Sequence, residues 1–218
     1  MGRPWIPREK VLLAALTIAV LPIIGCTNVL FTVAYLIHGT DVDPDFKDLK
    51  GKVAVICRAP TSLQYSNPNM GRELAQEITL LLQQQLPKIK FVDQRKIAKW
   101  TDEHDSEDFA DVGKAVKADM VVGIDLESFD IYQGQTLYQG RASATVRVFD
   151  CKKKGKQVFH QNIPQVVYPP NSAVATSDRS GPGEFTHEFE LKLADRIARC
   201  FYAHDPYADL GQDSDSLK

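Results

Sequence analysis

The pattern of hydrophobic and polar residues predicts alternating strands and helices from residue 52 onward. Residues 52–57 (KVAVIC) form an apolar run of the length expected for a buried strand. From Gly71 to Leu86 apolar side chains recur at helical spacing, with Glu, Gln and Arg between them, and Pro87 ends this helix. The pattern then predicts a short strand at 89–92 and two helices, one at 94–103 and one that stops before Asp119.

The rest of the domain shows the two-residue period of a sheet with one exposed face. In residues 136–149 small or branched apolar side chains alternate with Arg, Ser and Thr, and further strands are predicted at 120–131 and 157–163. Short turns separate these three strands, so we predict an antiparallel meander. A last helix, from 184 to about 203, carries an apolar stripe at helical spacing: Phe185, Phe189, Leu193, Ile197 and Phe201.

These elements predict an α/β (α+β) fold with a mixed sheet, in the order β-α-β-α-α-β-β-β-α, for one globular domain at residues 52–204. A chain of 218 residues is long enough for one such domain with a sizeable core and too short for a large multidomain enzyme. The formal net charge of -2 supplies no basic field, so we expect no nucleic-acid partner.

The N-terminus has the pattern of an export signal. The first ten residues are net basic, and an apolar run follows from Val11 to Ile24. The run ends at Gly25 and Cys26, which resemble a lipobox, the motif in which a small residue precedes the lipid-accepting cysteine of bacterial lipoproteins. We therefore predict a lipoprotein signal peptide at 1–25 and lipidation of Cys26, with palmitate as a label for the attached acyl chains.

A second apolar stretch, at residues 29–37, leaves an alternative open. Residues 26–51 are predicted to hold the lipidated cysteine, this stretch and a polar tether. Residues 11–37 are also long enough to be one uncleaved transmembrane helix in the inner membrane. Pro22 and Gly25 interrupt that helix and favour cleavage.

The predicted anchor implies a location in the cell envelope. The lipid would attach the protein to a membrane, with the domain facing the periplasm. Thr27, rather than an aspartate, follows the cysteine, which favours the outer membrane over retention in the inner membrane. The acidic tail at 205–218 is predicted to be disordered.

The sequence lacks the common catalytic motifs, including a Gly-rich phosphate loop, GxSxG, HExxH and CxxC. We therefore expect no catalytic residues, no cofactor and no metal site. His187 with Glu188, and the acidic cluster that begins at Asp102, are more simply explained as exposed helix positions. The remaining cysteines are Cys57, Cys151 and Cys200. Two of them could form a disulfide, or all three could be free thiols.

Residues 50–203 resemble a known family in the order and pattern of their elements. The family is the periplasmic α/β domain shared by the N-terminal domain of TolB, the curli-pore lipoprotein CsgG and related envelope lipoproteins. The resemblance rests on four segments: KVAVI, GRELAQEITLLLQQQL, KFVDQ and ADMVVGIDL. It implies a mixed α/β domain in the cell envelope. The long strands that build the curli pore are not evident in this sequence, which argues against a channel.

The predicted function is that of a non-enzymatic interaction or assembly module in secretion, transport or envelope maintenance, with an envelope protein as partner. The strand at 157–163 is a predicted sheet edge, and His160 and Asn162 are its possible interaction residues. Two alternatives remain: a subunit of an oligomeric secretion complex, and an enzyme with an unrecognised site in the loop at 58–70. Equally open is whether the long segment at 164–183 covers the edge.

Overall fold

The computed structural model describes residues 41–104, 108–178 and 181–206. The predicted signal peptide, Cys26, the apolar stretch at 29–37 and most of the acidic tail lie outside these ranges. No helix within the described ranges combines the length and apolarity needed to cross a bilayer.

One mixed sheet organises the domain, as predicted. Its strands lie in the order β2-β1-β3-β4-β5, and β6 pairs with β4. β1 is parallel to β2 and β3, whereas the β3–β4 and β4–β5 pairs are antiparallel. The strand bounds are β1 Lys52–Arg58, β2 Lys90–Phe91, β3 Met120–Gln133, β4 Leu137–Asp150, β5 Lys156–Tyr168 and β6 Val174–Ala175.

The described chain contains five α-helices, in the predicted order with one addition. Their bounds are α1 Thr61–Ser66, α2 Met70–Gln85, α3 Gln94–Glu103, α4 Phe109–Ala115 and α5 Pro182–Ala198. The addition is α1, which occupies part of the segment predicted as a loop at 58–70. Its six residues are too few to show a helical period in the sequence.

Helices cover both faces of the parallel part of the sheet. β1 is buried on both sides because Val53 and Val55 face α2 and α5, whereas Ala54 and Ile56 face α3 and α4. The continuous apolar run of β1 is therefore explained by its central, two-sided position. All five residues of the predicted stripe of the last helix are at most 3% exposed: Phe185, Phe189, Leu193, Ile197 and Phe201.

The compact unit that contains the sheet begins at Asp43, before the predicted start of the domain at residue 52. Phe46 and Leu49, from the segment predicted as a tether, are buried in the core beside α2 and α5. The Phe46 amide donates to the carbonyl of Cys200 at 2.9 Å, and its ring lies 5.1 Å from that of Phe159. Two apolar residues in a polar segment are enough to attach it to the core, although they give no periodic signal.

Candidate functional site

The predicted interaction strand is an edge of the sheet. β5 pairs with β4 through residues 156–168, and no other strand of the described chain pairs with its outer side. Phe159 and Ile163 face the core, whereas His160 and Asn162 are exposed on the opposite face. The two predicted interaction residues therefore lie together on an accessible part of the edge.

The edge is regular only in its middle. The pairing with β4 shifts register next to Val158 and again between Ile163 and Val166, where Pro164 removes a backbone donor. Bulges and proline are common protections of sheet edges against unwanted pairing. An added strand would therefore find regular backbone only along residues 159–163.

The described part of the long segment at 164–183 does not pair with this edge. After β5 ends at Tyr168, β6 pairs with Leu137 and Tyr138 at the start of β4. The amide of Thr176 donates to the carbonyl of Thr136 at 3.0 Å. The segment thus continues the line of β5 along β4 and leaves the outer side of β5 without a strand in the described ranges.

A cleft lies where the segment at 58–70 leaves the sheet, and we call it the basic cleft. Its volume is about 860 Å³, and its charged lining residues are Arg58, Arg72 and Arg95, with His104 at the rim. It lies beyond the carboxyl end of β1, a common place for ligand sites in α/β folds. Gly71 allows α2 to begin directly against β1, because a Cβ there would lie 2.8 Å from the carbonyl oxygen of Cys57.

The arginines of the basic cleft already have partners in the protein. Arg58 lies over the ring of Phe109, with its guanidinium carbon 3.9 Å from the ring centroid. Arg72 forms an ion pair with Asp102, and the side chain of Arg95 bonds to Asp93 at 3.3 Å. The beginning of the acidic cluster at Asp102 is therefore engaged in this ion pair, and Asp105 lies outside the described residues.

Two further polar residues of the basic cleft also have structural contacts. The side-chain amide of Gln94 donates to the carbonyl of Val55 at 3.0 Å and to Oγ1 of Thr79 at 2.8 Å. The imidazole of His104 stacks on Trp100 with ring centroids 4.6 Å apart. The bonds of Gln94 fasten α3 to β1 and α2, so this part of the cleft's polar lining is structural.

The three described cysteines are free thiols, so the open choice in the sequence is resolved without a disulfide. Cys57 lines the basic cleft, but burial raises the pKa of its thiol to about 12. Burial also raises the pKa of Cys200 to about 12 and that of Cys151 above its ordinary value. Because the thiolate is the nucleophile, this environment does not activate Cys57.

A second cleft lies on the other side of the N-terminal part of α2, and we call it the acidic cleft. Its volume is about 810 Å³. Four elements contribute to its lining, namely α1, α2, the end of β3 and α5. The ionisable lining residues are Glu73, Glu77, Asp130, Tyr132, His187 and Glu190.

Glu190 is the unusual group of the acidic cleft. Its side chain is only 4% exposed, and Oε1 has no hydrogen-bond partner. Its other carboxylate oxygen, Oε2, lies 4.0 Å from Nδ1 of His187. Burial, together with the charges of Glu73 and Glu77, raises the pKa of Glu190 from its ordinary value of 4.5 to about 7.

Sequence reasoning missed Glu190 although it identified the neighbouring residues. His187 is exposed on α5, as predicted, whereas Glu190 follows Phe189 of the buried stripe. An acidic residue beside a core position is the available signal, because a helix turns its flanking positions partly inward. Within the described residues, no three His, Cys, Asp or Glu side chains are grouped closely enough to hold a metal ion.

Comparisons with known proteins give structural likeness alone. No protein-family model and no curated protein matches the chain. The hypothetical protein CT253 from Chlamydia trachomatis is similar, with 17% identity over 70% of this chain and 98% of that one and a TM-score of 0.39. The PelC dodecamer from Paraburkholderia phytofirmans has 12% identity, coverage of 73% and 95%, and a TM-score of 0.43.

The lipoprotein GNA1162 from Neisseria meningitidis is also similar, with 13% identity, coverage of 68% and 99%, and a TM-score of 0.40. Likeness of this degree does not assign a function to the chain. The resemblance to the domains of TolB and CsgG stays a prediction from the sequence.

Proposed function

We propose that this protein is a lipid-anchored lipoprotein of the cell envelope and acts as a non-enzymatic interaction or assembly module. The anchor is Cys26, and the domain faces the periplasm from the outer membrane. The partner is another envelope protein, and the outer side of β5 is the surface that receives it.

The observation that carries the proposal is the open edge of β5. Residues 159–163 are in regular register with β4, and within the described ranges no strand pairs with their other side. An extended segment of a partner could add there through backbone hydrogen bonds, with exposed His160 and Asn162 available for side-chain contacts. The contacts that engage Arg58, Arg72 and Gln94 favour this module over an enzyme centred on the basic cleft.

The edge is tested by proline scanning of β5. Backbone N–H groups point alternately to the two sides of a strand, so His160→Pro and Asn162→Pro remove donors from one side and Gln161→Pro from the other. The variants whose N–H faces β4 should lose stability, whereas those on the outer side should keep the circular dichroism spectrum and stability of the wild type. We expect the stable variants to recover less partner from solubilised membranes, as measured by mass spectrometry.

Recovery of the same partners at the same yield by a folded outer-side variant would remove β5 as the binding surface. Light scattering of the same variants tests the alternative of an oligomeric subunit. If the partner is a second copy of this chain, the wild type is an oligomer and the outer-side variant becomes a monomer.

The anchor has its own test, because Gly25 and Cys26 lie outside the described residues. Replacing Cys26 by Ser removes the thiol that accepts the diacylglycerol. We expect Cys26→Ser to abolish metabolic labelling with palmitate and to leave the precursor unprocessed, with Cys57→Ser as the control that retains both. Unchanged labelling of Cys26→Ser would remove Cys26 as the lipidated residue, and an unlabelled, unprocessed wild type would favour the uncleaved helix at 11–37.

A further inference from the structure

The acidic cleft contains a buried charge that the fold itself does not use. The side chain of Glu190 is 4% exposed, and its Oε1 has no hydrogen-bond partner. Removing a carboxylate from water without a partner costs several kcal/mol, and native proteins contain few such groups. Unlike the polar groups of the basic cleft, this one is not explained by a structural contact.

The charges around Glu190 make the cleft attractive to a cation. Glu73 and Glu77 face it from α2, Asp130 lies at the end of β3, and His187 is on its own helix. Among the described residues, no Lys or Arg lines the cleft. The negative potential of these carboxylates is therefore not neutralised by a basic side chain in the lining.

The side of the cleft formed by β3 is apolar and aromatic apart from Asp130. Phe129, Ile131 and Tyr132 line it from the end of β3. The ring of Phe129 packs on that of Phe189 at 5.0 Å, and Tyr132, 41% exposed, lies 5.5 Å from Tyr138. Such a wall suits the aliphatic part of a ligand, and aromatic faces also attract cations. The volume of about 810 Å³ is within the usual range for small-ligand sites.

The arrangement favours one kind of cation. A bound metal ion needs several ligating side chains together, and no such group occurs within the described ranges. A guanidinium group prefers two oxygens of one carboxylate, whereas Oε1 of Glu190 is buried from solvent and at most Oε2, 4.0 Å from Nδ1 of His187, can be reached from the cleft. An ammonium group is a compact charge and needs only one acceptor oxygen.

We propose that the acidic cleft binds a primary ammonium group on an aliphatic stem, with the carboxylate of Glu190 as its buried counter-charge and Phe129 and Tyr132 against the stem. The same chemistry is presented by a free aliphatic amine and by a lysine side chain. This site is separate from β5 and does not depend on the function proposed for that edge.

The test is an NMR chemical-shift titration of the full chain at pH 8, above the pKa of about 7 for Glu190. Pentylamine is the probe, and pentan-1-ol is its neutral control. We expect saturable binding of pentylamine in roughly the millimolar range and no saturable binding of the alcohol. A second pair, Nα-acetyl-lysine amide and its Nε-acetylated form, shows whether the cleft also accepts a lysine side chain or only the free amine.

Matched variants connect the binding to Glu190. Glu190→Gln keeps the shape and removes the charge, so pentylamine should bind at least about tenfold more weakly. The double variant Glu73→Gln with Glu77→Gln lowers the negative potential of the cleft without changing Glu190, and it should weaken pentylamine binding by about threefold. Glu184→Gln, on the exposed first turn of α5, should bind as the wild type does.

Two results would overturn the proposal. One is equal affinity of the wild type for pentylamine and pentan-1-ol, which would mean that the cleft binds apolar chains without recognising the charge. The other is affinity of Glu190→Gln for pentylamine within about twofold of the wild type. If Glu190→Gln does not fold, the double variant Glu73→Gln with Glu77→Gln takes its place. An affinity of that variant for pentylamine within about twofold of the wild type would then overturn the proposal.

Discussion

The two clefts beside α2 contain polar groups in opposite situations. In the basic cleft, Arg72 pairs with Asp102 and Gln94 bonds to Val55 and Thr79, so the polar lining connects one element to another. In the acidic cleft, the side chain of Glu190 is more deeply buried than that of Arg72, yet its Oε1 has no partner. The basic cleft has the position at a strand end where ligand sites are common, but the acidic cleft has the group without a structural purpose.

This difference shows how position and chemistry can point to different places in one fold. A buried polar group that is bonded to its neighbours stabilises the fold and needs no ligand. A buried charge without a partner lowers stability, and proteins tend to tolerate such features at functional sites. The comparison therefore assigns a structural role to the basic cleft and a binding role to the acidic one.

The largest expected effect concerns the packing beneath the acidic cleft. Phe189 is fully buried, and its ring supports Phe129 in the cleft wall. Replacing Phe189 by Ala should lower the free energy of unfolding by about 3 to 5 kcal/mol, because it leaves a cavity between α5 and the sheet. Urea denaturation measures this loss, and a value below about half a kcal/mol would mean that the wall is not fixed.

The next effect is the pH dependence of stability, which shows whether the charge of Glu190 destabilises or stabilises the folded protein. The pKa of Glu190 is about 7 in the folded protein and near its ordinary 4.5 in the unfolded chain. Folding therefore favours the protonated side chain, and the resulting stabilisation is complete below pH 4.5. That stabilisation is lost as the pH rises through 7, a change of about 3 kcal/mol. Glu190→Gln should remove this dependence and be more stable than the wild type at pH 8.

Thermal unfolding of the wild type and of Glu190→Gln between pH 4.5 and 8 measures the difference in their stability. Taking the difference cancels the contributions of the other titrating groups, which the two proteins share. Glu184→Gln is the control and should follow the pH dependence of the wild type. A Glu190→Gln variant that is less stable than the wild type at pH 8 would show that the carboxylate has a stabilising partner in solution.

The smallest effect tests the structural role of the basic cleft. Gln94→Leu removes the donor to the carbonyl of Val55 and to Oγ1 of Thr79, and should cost about 1 to 2 kcal/mol in unfolding free energy. Gln76→Leu is the matched control, because Gln76 is exposed and lines both clefts. It should stay within about half a kcal/mol of the wild type. Equal stability of the two variants would contradict the structural interpretation of this cleft.

Sequence periodicity predicted the elements that bury a continuous face. The buried run of β1 and the buried stripe that begins at Phe185 were predicted correctly because each pattern repeats along its element, although α5 ends at Ala198 and Phe201 packs into the core beyond it. Two of the short elements were not predicted. α1 and β6, of six and two residues, form where tertiary contacts support them, and Phe46 joins the core from a polar segment.

The sequence by itself determined the fold class, the order of the main elements and the burial of β1, because local periodicity reports which face of each element avoids water. It also predicts a lipid anchor at Gly25 and Cys26, because that motif is a matter of local chemistry. Only the tertiary structure decided which polar groups have partners. Glu190 and Gln94 are both polar residues on helices, and the difference between them depends on atoms from β1, α2 and β3 that are distant in the chain.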